Sequence, residues 1–266
     1  SGRLRRRSMK NGIHSDTAAL VIGGTQGLGL AIATRLVAEG CSHIVIAGRN
    51  APRGQAAAHQ IGASFISADL EDTGSILSLV DRAAEQMGRI NALVNAGAMT
   101  DRGSVLDTSQ AEFDRMMTAN LRSPFFAIQR VSQLAIAAGK PAAILNILSM
   151  VTHCGQSFLA PYSASKAALA NVTKNAANTL RSHRIRVNGI NCGWMDTPGE
   201  DAVRERLHNA SDDWLERAEA QQPFKMLVKP DHVAGLASYM LSDEAGVMTG
   251  SLVDFDQNVA GAYPEA

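Results

Sequence analysis

The sequence predicts an α/β protein with a doubly wound parallel sheet, covered by helices on both faces in three layers and forming a single domain. Short apolar runs alternate with longer segments in which apolar residues recur every three or four positions, an order typical of parallel sheets. The 266 residues, 45% hydrophobic and 19% charged, suffice for one large core. Right-handed crossovers between such strands give the Rossmann arrangement.

The apolar runs define the predicted strands, because strands buried on both faces favour continuous hydrophobic sequence. They cover residues 19–22, 43–47, 64–67, 92–95, 142–148, 186–191 and 252–255. The segments between them include several with the spacing of an amphipathic helix. The predicted helices cover residues 28–39, 75–87, 109–138 and 162–182.

Two segments fall outside this alternation. Residues 1–17 contain an arginine cluster that no apolar run follows, so we expect a disordered or vector-derived leader before a domain covering residues 18–266. The alternative is a basic arm that binds nucleic acid. Residues 194–223 are rich in charge and hold both tryptophans, which predicts a lid-like insertion over a site.

Composition argues against several classes of function. The 25 basic and 25 acidic residues give a formal net charge of zero, so we expect no nucleic-acid or membrane partner. No apolar run approaches the length of a membrane span. The three cysteines are far apart and outside any CxxC pattern, which predicts reduced thiols, a cytoplasmic location and no metal site.

Glycines crowd the connection between the first predicted strand and the first predicted helix. Gly23, Gly27 and Gly29 permit a tight turn and a close approach of backbone N–H groups to a phosphate. The alternative is a turn that only lets the strand and the helix pack. Because this is the first β-α unit, where doubly wound folds bind dinucleotide pyrophosphates, we favour phosphate binding.

The end of the second predicted strand bears on the choice of coenzyme. Gly48 stands where NAD-binding proteins place an acidic residue, and Arg49 follows it. A guanidinium can pair with a 2′-phosphate, which favours NADP(H) over NAD(H), although a solvated loop arginine is an alternative. Asp69 and Leu70 end the third predicted strand and are expected to meet the adenine edge.

Four residues suggest acid/base chemistry. Tyr162 and Lys166 lie four positions apart, hence on one face of a predicted helix. A nearby ammonium is expected to lower the phenol pKa from about 10, making Tyr162 a general acid and base near neutrality. Ser149 ends a strand, where its hydroxyl can bind a substrate carbonyl. Asn120, inside a predicted long helix, either holds a water that relays protons to Lys166 or is a surface or core amide.

Together these residues resemble the short-chain dehydrogenases/reductases (SDRs) of the short, single-domain type, over residues 18–258. The family's TGxxxGxG motif matches residues 22–29, with Ile22 in place of threonine. Its NNAG motif appears as NAGA at residues 95–98. Cys192 replaces a family proline, and Asp256 with Gln257 replaces the usual late glycines.

The resemblance implies a homo-oligomer, commonly a tetramer, that transfers a hydride between a nicotinamide coenzyme and a carbonyl or secondary alcohol. The catalytic residues carry over to Asn120, Ser149, Tyr162 and Lys166. The implied coenzyme-binding residues are Gly23, Thr25, Gln26, Gly27, Leu28, Gly29, Arg49, Asn50, Asp69, Leu70, Asn95, Ala96, Gly97, Tyr162, Lys166, Gly193, Met195 and Thr197.

The substrate is expected to be small and polar, such as a sugar, a polyol or a hydroxy acid. The candidate substrate contacts are His153, Gln156 and Trp194, which lie near the proposed catalytic residues or in the predicted lid. Two other functions stay open. One is a non-catalytic nucleotide sensor, and the other is a reductase of imines or activated double bonds.

Overall fold

A computed structural model describes residues 12–198, 200 and 213–262. Within these residues one parallel sheet forms the centre of the molecule. Its strands are β1 (Ala18–Ile22), β2 (His43–Gly48), β3 (Ser64–Ser67), β4 (Ala92–Asn95), β5 (Ala142–Ser149), β6 (Ile185–Cys192) and β7 (Leu252–Phe255). The order across the sheet is β3-β2-β1-β4-β5-β6-β7. Every neighbouring pair is parallel, which confirms the predicted doubly wound fold.

Helices cover both faces of the sheet. They are α1 (Gly27–Ala38), α2 (Ala51–Ile61), α3 (Thr73–Met87), α4 (Gln110–Met117), α5 (Ser123–Ala137), α6 (Ala160–Leu180), α7 (Trp214–Gln221) and α8 (Pro230–Leu241). Apolar residues of α1, α2 and α8 form the core on one face, and those of α3, α5 and α6 form the core on the other. The strand order reverses between β1 and β4, and such reversals open a crevice at the carboxyl ends of the strands.

The single long helix predicted over residues 109–138 is wrong. The structure has α4 and α5 joined by a π-helical turn, Thr118–Arg122, with Asn120 at its centre. Pro124 explains the interruption, because it has no N–H to donate to the main-chain oxygen of Asn120 four residues earlier. The helix widens there, and the Ser123 N–H bonds to the Thr118 oxygen five residues before it.

The predicted leader over residues 1–17 needs correction in its last part. Residues 12–17 are packed against the domain, and His14 is fully buried. Its Nε2 lies 2.9 Å from the Ser238 hydroxyl on α8, and its Nδ1 lies 3.0 Å from the Thr17 hydroxyl. A buried imidazole with both nitrogens bonded holds this segment in place, so residue 18 is not the start of the folded region. The arginine cluster lies in residues 1–11, outside the described residues.

The predicted lid over residues 194–223 is described only in part, since residues 199 and 201–212 lie outside the described ranges. The rings of Trp194 and Trp214 stack with centroids 6.5 Å apart. Lys229 Nζ lies 2.7 Å from the carboxylates of both Asp196 and Glu219, which ties α7 to the segment after β6. No described helix combines the length and the hydropathy that a membrane crossing needs.

Candidate active site

A cleft of about 900 Å³ runs along the carboxyl ends of the strands. The segments after β1, β2, β4, β5, β6 and β7 all contribute to its walls. Most of the residues that the sequence assigned to a site line this one cleft. They are Gly23, Thr25, Gln26, Gly27, Leu28, Gly29, Arg49, Leu70, Ala96, Gly97, Ser149, His153, Gln156, Tyr162, Lys166, Gly193, Trp194, Met195 and Thr197.

The glycine turn after β1 forms one end of the cleft. Gly23 has φ +81°, and a Cβ there would lie 2.3 Å from the Gly97 nitrogen, so only glycine fits this approach. Gly27 begins α1 with φ +52°, and a Cβ there would lie 3.6 Å from the Thr197 side chain. No side chain caps α1 and its first turn holds no acidic residue. A helix N-terminus left uncapped in a cleft is suited to an anion, so this turn fits a dinucleotide pyrophosphate.

The end of β2 carries a guanidinium that lines the cleft. Arg49 Nη1 donates to Glu71 Oε1 at 3.0 Å, and Arg49 Nε lies 4.0 Å from Asp69 Oδ1. Glu71 also accepts from Arg115 Nε at 2.8 Å. The hydrogen bond from Arg115, with the charge of Arg49, holds the pKa of Glu71 below its ordinary value. The Glu71 carboxylate is thus shared by two guanidiniums. A 2′-phosphate could pair with Arg49 while Glu71 stays paired with Arg115.

Ser149, Tyr162 and Lys166 meet at the other end of the cleft. Ser149 ends β5, while Tyr162 and Lys166 lie one turn apart on α6. Ser149 and Tyr162 both line the cleft. Lys166 is buried, and its Nζ donates to the main-chain oxygen of Ile147 at 2.7 Å, 5.8 Å from the centre of the Tyr162 ring. The hydroxyl pair and the ammonium face one cavity, a constellation suited to acid/base work on a carbonyl or an alcohol.

Comparisons with known proteins fit this geometry. A family model described as enoyl-(acyl carrier protein) reductase matches residues 23–257. An NADP-dependent (R)-specific alcohol dehydrogenase of Lentilactobacillus kefiri is 33% identical over 239 residues, covering 88% of this chain and 92% of that protein. The chain belongs to the short-chain dehydrogenase/reductase family. It is therefore an oxidoreductase acting on CH–OH and carbonyl groups.

A second SDR relative and a solved SDR structure agree over nearly the whole chain. Galactitol 2-dehydrogenase of Agrobacterium fabrum is 29% identical over 91% of this chain and 96% of that protein. The structure of an actinorhodin polyketide ketoreductase variant with NADPH superimposes with a TM-score of 0.86 at 26% identity. That match covers 93% of this SDR and 99% of the ketoreductase.

Electrostatics at the catalytic end of this SDR differ from the expectation of an acidified phenol. Burial raises the pKa of Tyr162 to about 12, and the polar Ser149 side chain offsets only part of this. Burial also lowers the pKa of Lys166 to about 8. The expected lowering of the Tyr162 pKa is wrong, because loss of water disfavours both charged forms and the ammonium is directed at the Ile147 oxygen.

Asn120 supports the SDR cleft from behind rather than lining it. Its Nδ2 donates to the Met99 oxygen at 2.8 Å and to Ser165 Oγ at 3.1 Å, and its Oδ1 accepts from the Met99 nitrogen at 2.8 Å. This buried side chain therefore has protein partners for both ends of its amide. Asn120 could therefore bind a water only through its main-chain oxygen. That oxygen lacks the usual helical donor because Pro124, four residues later, has no N–H.

Three other predicted coenzyme residues do not line the cleft. Asn50 caps α2 by accepting from the Arg53 nitrogen at 2.9 Å. Asp69 accepts from the Glu71 nitrogen at 3.0 Å and shapes the turn after β3. Asn95 is buried inside the sheet, where its Nδ2 donates to Asn146 Oδ1 at 2.8 Å. Each of these residues supports a strand end beside the cleft, and its contact with a coenzyme stays a prediction.

The substrate end of the SDR cleft includes Phe158 and the segment after β7, to which the sequence assigned no site role. Arg102 lies 4.4 Å over the ring of Phe158, and both line the cleft. The segment after β7 adds Asp256 and residues 258–261. No spacing pattern marks these positions, because only the arrangement of distant strand ends brings them together. Within the described part of the chain, no group of three or more His, Cys, Asp or Glu side chains could hold a metal.

Proposed function

We propose that this SDR transfers a hydride reversibly between NADP(H), with NAD(H) as the alternative, and a carbonyl or secondary alcohol of a small polar molecule. The observation that carries the proposal is that Ser149, Tyr162 and the buried Lys166 line the same cleft as the uncapped start of α1. One end suits a pyrophosphate and the other suits proton transfer.

The chain's residues would hold the coenzyme along the cleft. The backbone N–H groups at the start of α1 would bind the pyrophosphate, Arg49 the 2′-phosphate, and Met195 with Thr197 the carboxamide. The preference for NADP(H) is supported by Arg49, by the NADP-dependent relative and by the ketoreductase with NADPH. When bound, the coenzyme supplies or accepts the hydride.

In the reduction direction, Ser149 would donate a hydrogen bond to the substrate carbonyl and polarise it. Tyr162 would donate its Oη proton to the developing alkoxide, and its pKa of about 12 keeps that proton in place until the reaction. Lys166, with a pKa of about 8, can pass a proton toward Tyr162 at neutral pH. The Asn120 main-chain oxygen would hold the water that connects this ammonium to solvent.

The substrate is proposed to contact His153, Gln156 and Trp194 on the cleft wall. A polar substrate agrees with these side chains and with the galactitol dehydrogenase among the relatives. An alternative reaction, reduction of an activated double bond, is supported by the enoyl reductase description of the family model. A non-catalytic nucleotide sensor has less support, because it has no use for an acid/base pair in the cleft.

The test is a coenzyme absorbance assay with NADP(H) and NAD(H) against ketones, sugars, polyols, hydroxy acids and an enoyl thioester. We expect turnover with a polyol or hydroxyketone and with NADP(H) preferred. Turnover of the enoyl thioester alone would establish the double-bond alternative. Tight coenzyme binding without any turnover would favour the sensor.

We further propose that the protein is a cytoplasmic homotetramer. The exposed rings of Phe113 on α4 and Phe125 on α5, 42% and 43% accessible, support an interface on these neighbouring helices. Size-exclusion chromatography with light scattering gives the mass. A monomer at micromolar concentration would contradict the proposal.

A further inference from the structure

A second polar cluster lies on the cleft wall next to the proposed catalytic residues. It consists of His153, Asp254 and Asn191, referred to below as the His153 cluster. Asn191 on β6 and Asp254 on β7 are register partners in the parallel sheet. His153 lies four residues after Ser149, at the end of the short 3₁₀ turn Met150–Thr152, and lines the cleft. The carboxyl ends of three adjacent strands therefore build this cluster.

Hydrogen bonds fix the orientation of every group in the His153 cluster. Asn191 is fully buried, and Thr152 Oγ1 donates to its Oδ1 at 3.2 Å. Asn191 Nδ2 consequently faces Asp254 Oδ1 and donates to it at 2.7 Å. His153 Nε2 lies 2.8 Å from the same carboxylate oxygen. The two donor nitrogens lie 3.2 Å apart because they converge on one acceptor.

The charge of Asp254 decides the proton position on the imidazole. Burial alone raises the pKa of Asp254, but the hydrogen bonds from Asn191 and His153 outweigh it and bring the pKa below its ordinary value. An ionised carboxylate can only accept, so His153 Nε2 carries a proton. In the neutral imidazole Nδ1 is then an acceptor, and no described residue bonds to it. His153 is 39% accessible.

We propose that His153 Nδ1 accepts a hydrogen bond from a second hydroxyl of the substrate, so that the enzyme prefers polyols and hydroxyketones to simple secondary alcohols and ketones. Asp254 and Asn191 are positioning residues that set the imidazole tautomer. This inference rests on the proposed function and names its substrate class. Ser149 and His153 lie four residues apart in sequence and line the same cleft, so 1,2- and 1,3-diols are the substrates to test.

The test compares substrate pairs that differ by one hydroxyl: 2,3-butanediol with 2-butanol, and 2,4-pentanediol with 2-pentanol. We expect the wild-type protein to prefer at least one diol by about tenfold in kcat/KM. His153→Phe keeps a flat ring and removes the acceptor. It should lower kcat/KM for that diol by about tenfold, chiefly through KM, and change the monoalcohol by less than about twofold.

Two further variants separate recognition from structure. His153→Asn keeps a polar atom near the Nδ1 position and should restore part of the diol preference. Asp254→Asn removes the charge that sets the tautomer and should give an intermediate loss. His59→Asn, on the exposed face of α2 and away from the cleft, is the matched control and should behave as wild type. Melting temperatures establish that each variant is folded.

The possible outcomes separate the two proposals. Equal losses for diol and monoalcohol in His153→Phe would mean that the cluster only braces β7, and would overturn the inference. A wild-type preference for monoalcohols, or an unchanged diol preference in His153→Phe, would also overturn it while leaving the proposed function intact. No turnover of any alcohol or hydroxyketone with either coenzyme would contradict the proposed function and this inference together.

Discussion

The two ends of the cleft hold their charges in opposite ways. At the coenzyme end, Arg49 and Arg115 share Glu71, and both guanidiniums are more than half exposed. At the catalytic end, Lys166 is buried with its ammonium bonded to a main-chain oxygen. Exposed ion pairs are worth about 0–1 kcal/mol and exchange partners readily. Buried groups respond by changing their proton affinity, as the pKa values of about 12 for Tyr162 and about 8 for Lys166 indicate.

This difference indicates that the exposed end of the cleft is suited to binding and the buried end to proton transfer. The exposed end can release Arg49 to an incoming phosphate without leaving a buried charge unpaired. The buried end holds its protons in a defined state before any substrate arrives. Substitutions at the buried end should therefore affect turnover strongly, and substitutions at the exposed end should change affinity by smaller factors.

The largest effect is expected for Tyr162→Phe. Loss of the only atom proposed to deliver the proton should lower kcat by about 10²–10⁴-fold. Coenzyme affinity, measured by fluorescence titration of NADPH, should change by less than about twofold, because the ring remains. Tyr239→Phe on α8, whose ring is 43% accessible, is the control. Turnover near the wild-type value in Tyr162→Phe would exclude its role as the acid.

Gly23→Ala should weaken coenzyme binding, because its Cβ would clash with the backbone of Gly97. The new Cβ would lie 2.3 Å from the Gly97 nitrogen, and a displacement of about 1 Å in such a site can cost about 100-fold. We expect a comparable rise in the Kd for NADP⁺. Gly62→Ala has a similar positive φ of +73° but meets nothing within 4 Å, so it controls for backbone strain alone. Equal effects of the two variants would refute the close-approach argument.

Arg49→Gln should change coenzyme affinity without affecting the catalytic end, because it removes a guanidinium only from the exposed end of the cleft. The Kd for NADP⁺ should rise by about tenfold, as expected for a lost hydrogen bond to a charged group, and that for NAD⁺ by less than about twofold. Isothermal titration gives both constants. Arg53→Gln, on the exposed face of α2 and outside the cleft lining, is the matched control. A parallel loss for both coenzymes would show that Arg49 does not read the 2′-phosphate.

Glu71→Gln should strengthen NADP⁺ binding, by a smaller factor than Arg49→Gln weakens it. Removing the shared carboxylate frees both guanidiniums, so the Kd for NADP⁺ should fall by about threefold, with a steeper dependence on salt. NAD⁺ binding should stay the same. Weaker NADP⁺ binding in this variant would mean that Glu71 orients Arg49 rather than competing for it.

The smallest effect is expected far from the cleft, at the buried His14. Burial lowers its pKa below the ordinary value of 6.5, so the unfolded chain binds more protons at acidic pH. Stability should be full above about pH 6.5 and should decline as the pH falls toward the folded-state pKa. Urea midpoints at pH 7.5 and pH 5 measure the decline. In His14→Gln the urea midpoints at pH 7.5 and pH 5 should differ by less than in the wild-type protein. If the two midpoints differ as much as in the wild type, His14 is not the group responsible for the decline.

The sequence alone predicted the sheet closely, because buried parallel strands are continuous apolar runs bounded by polar residues. The predicted strand over residues 92–95 matches Ala92–Asn95, and the strand over 252–255 matches Leu252–Phe255. The glycine turn and the Tyr162–Lys166 pair could also be recognised in the sequence, because the spacing of neighbouring residues determines both. The family assignment is confirmed by the relatives.

Long-range features could not be predicted in the same way. The direction of the Tyr162 pKa depends on how much water the folded cleft excludes, which no spacing encodes. The positions of Asn50, Asp69 and Asn95 beside the cleft, rather than in it, depend on where their side chains find partners. The break in the helix over residues 109–138 had a visible signal in Pro124, which sequence reasoning did not use.

The π-helical turn at Thr118–Arg122 also constrains how this chain can vary in length. A π-helical turn holds one residue more than an α-helical turn, so a one-residue deletion there can restore α-helical winding and leave Ile128 and Val131 in the core against the sheet. A one-residue deletion inside α5 would instead rotate the downstream part of the helix by about 100° and turn polar neighbours toward the core. The fold should therefore tolerate the loss of one residue better within these five positions than within α5.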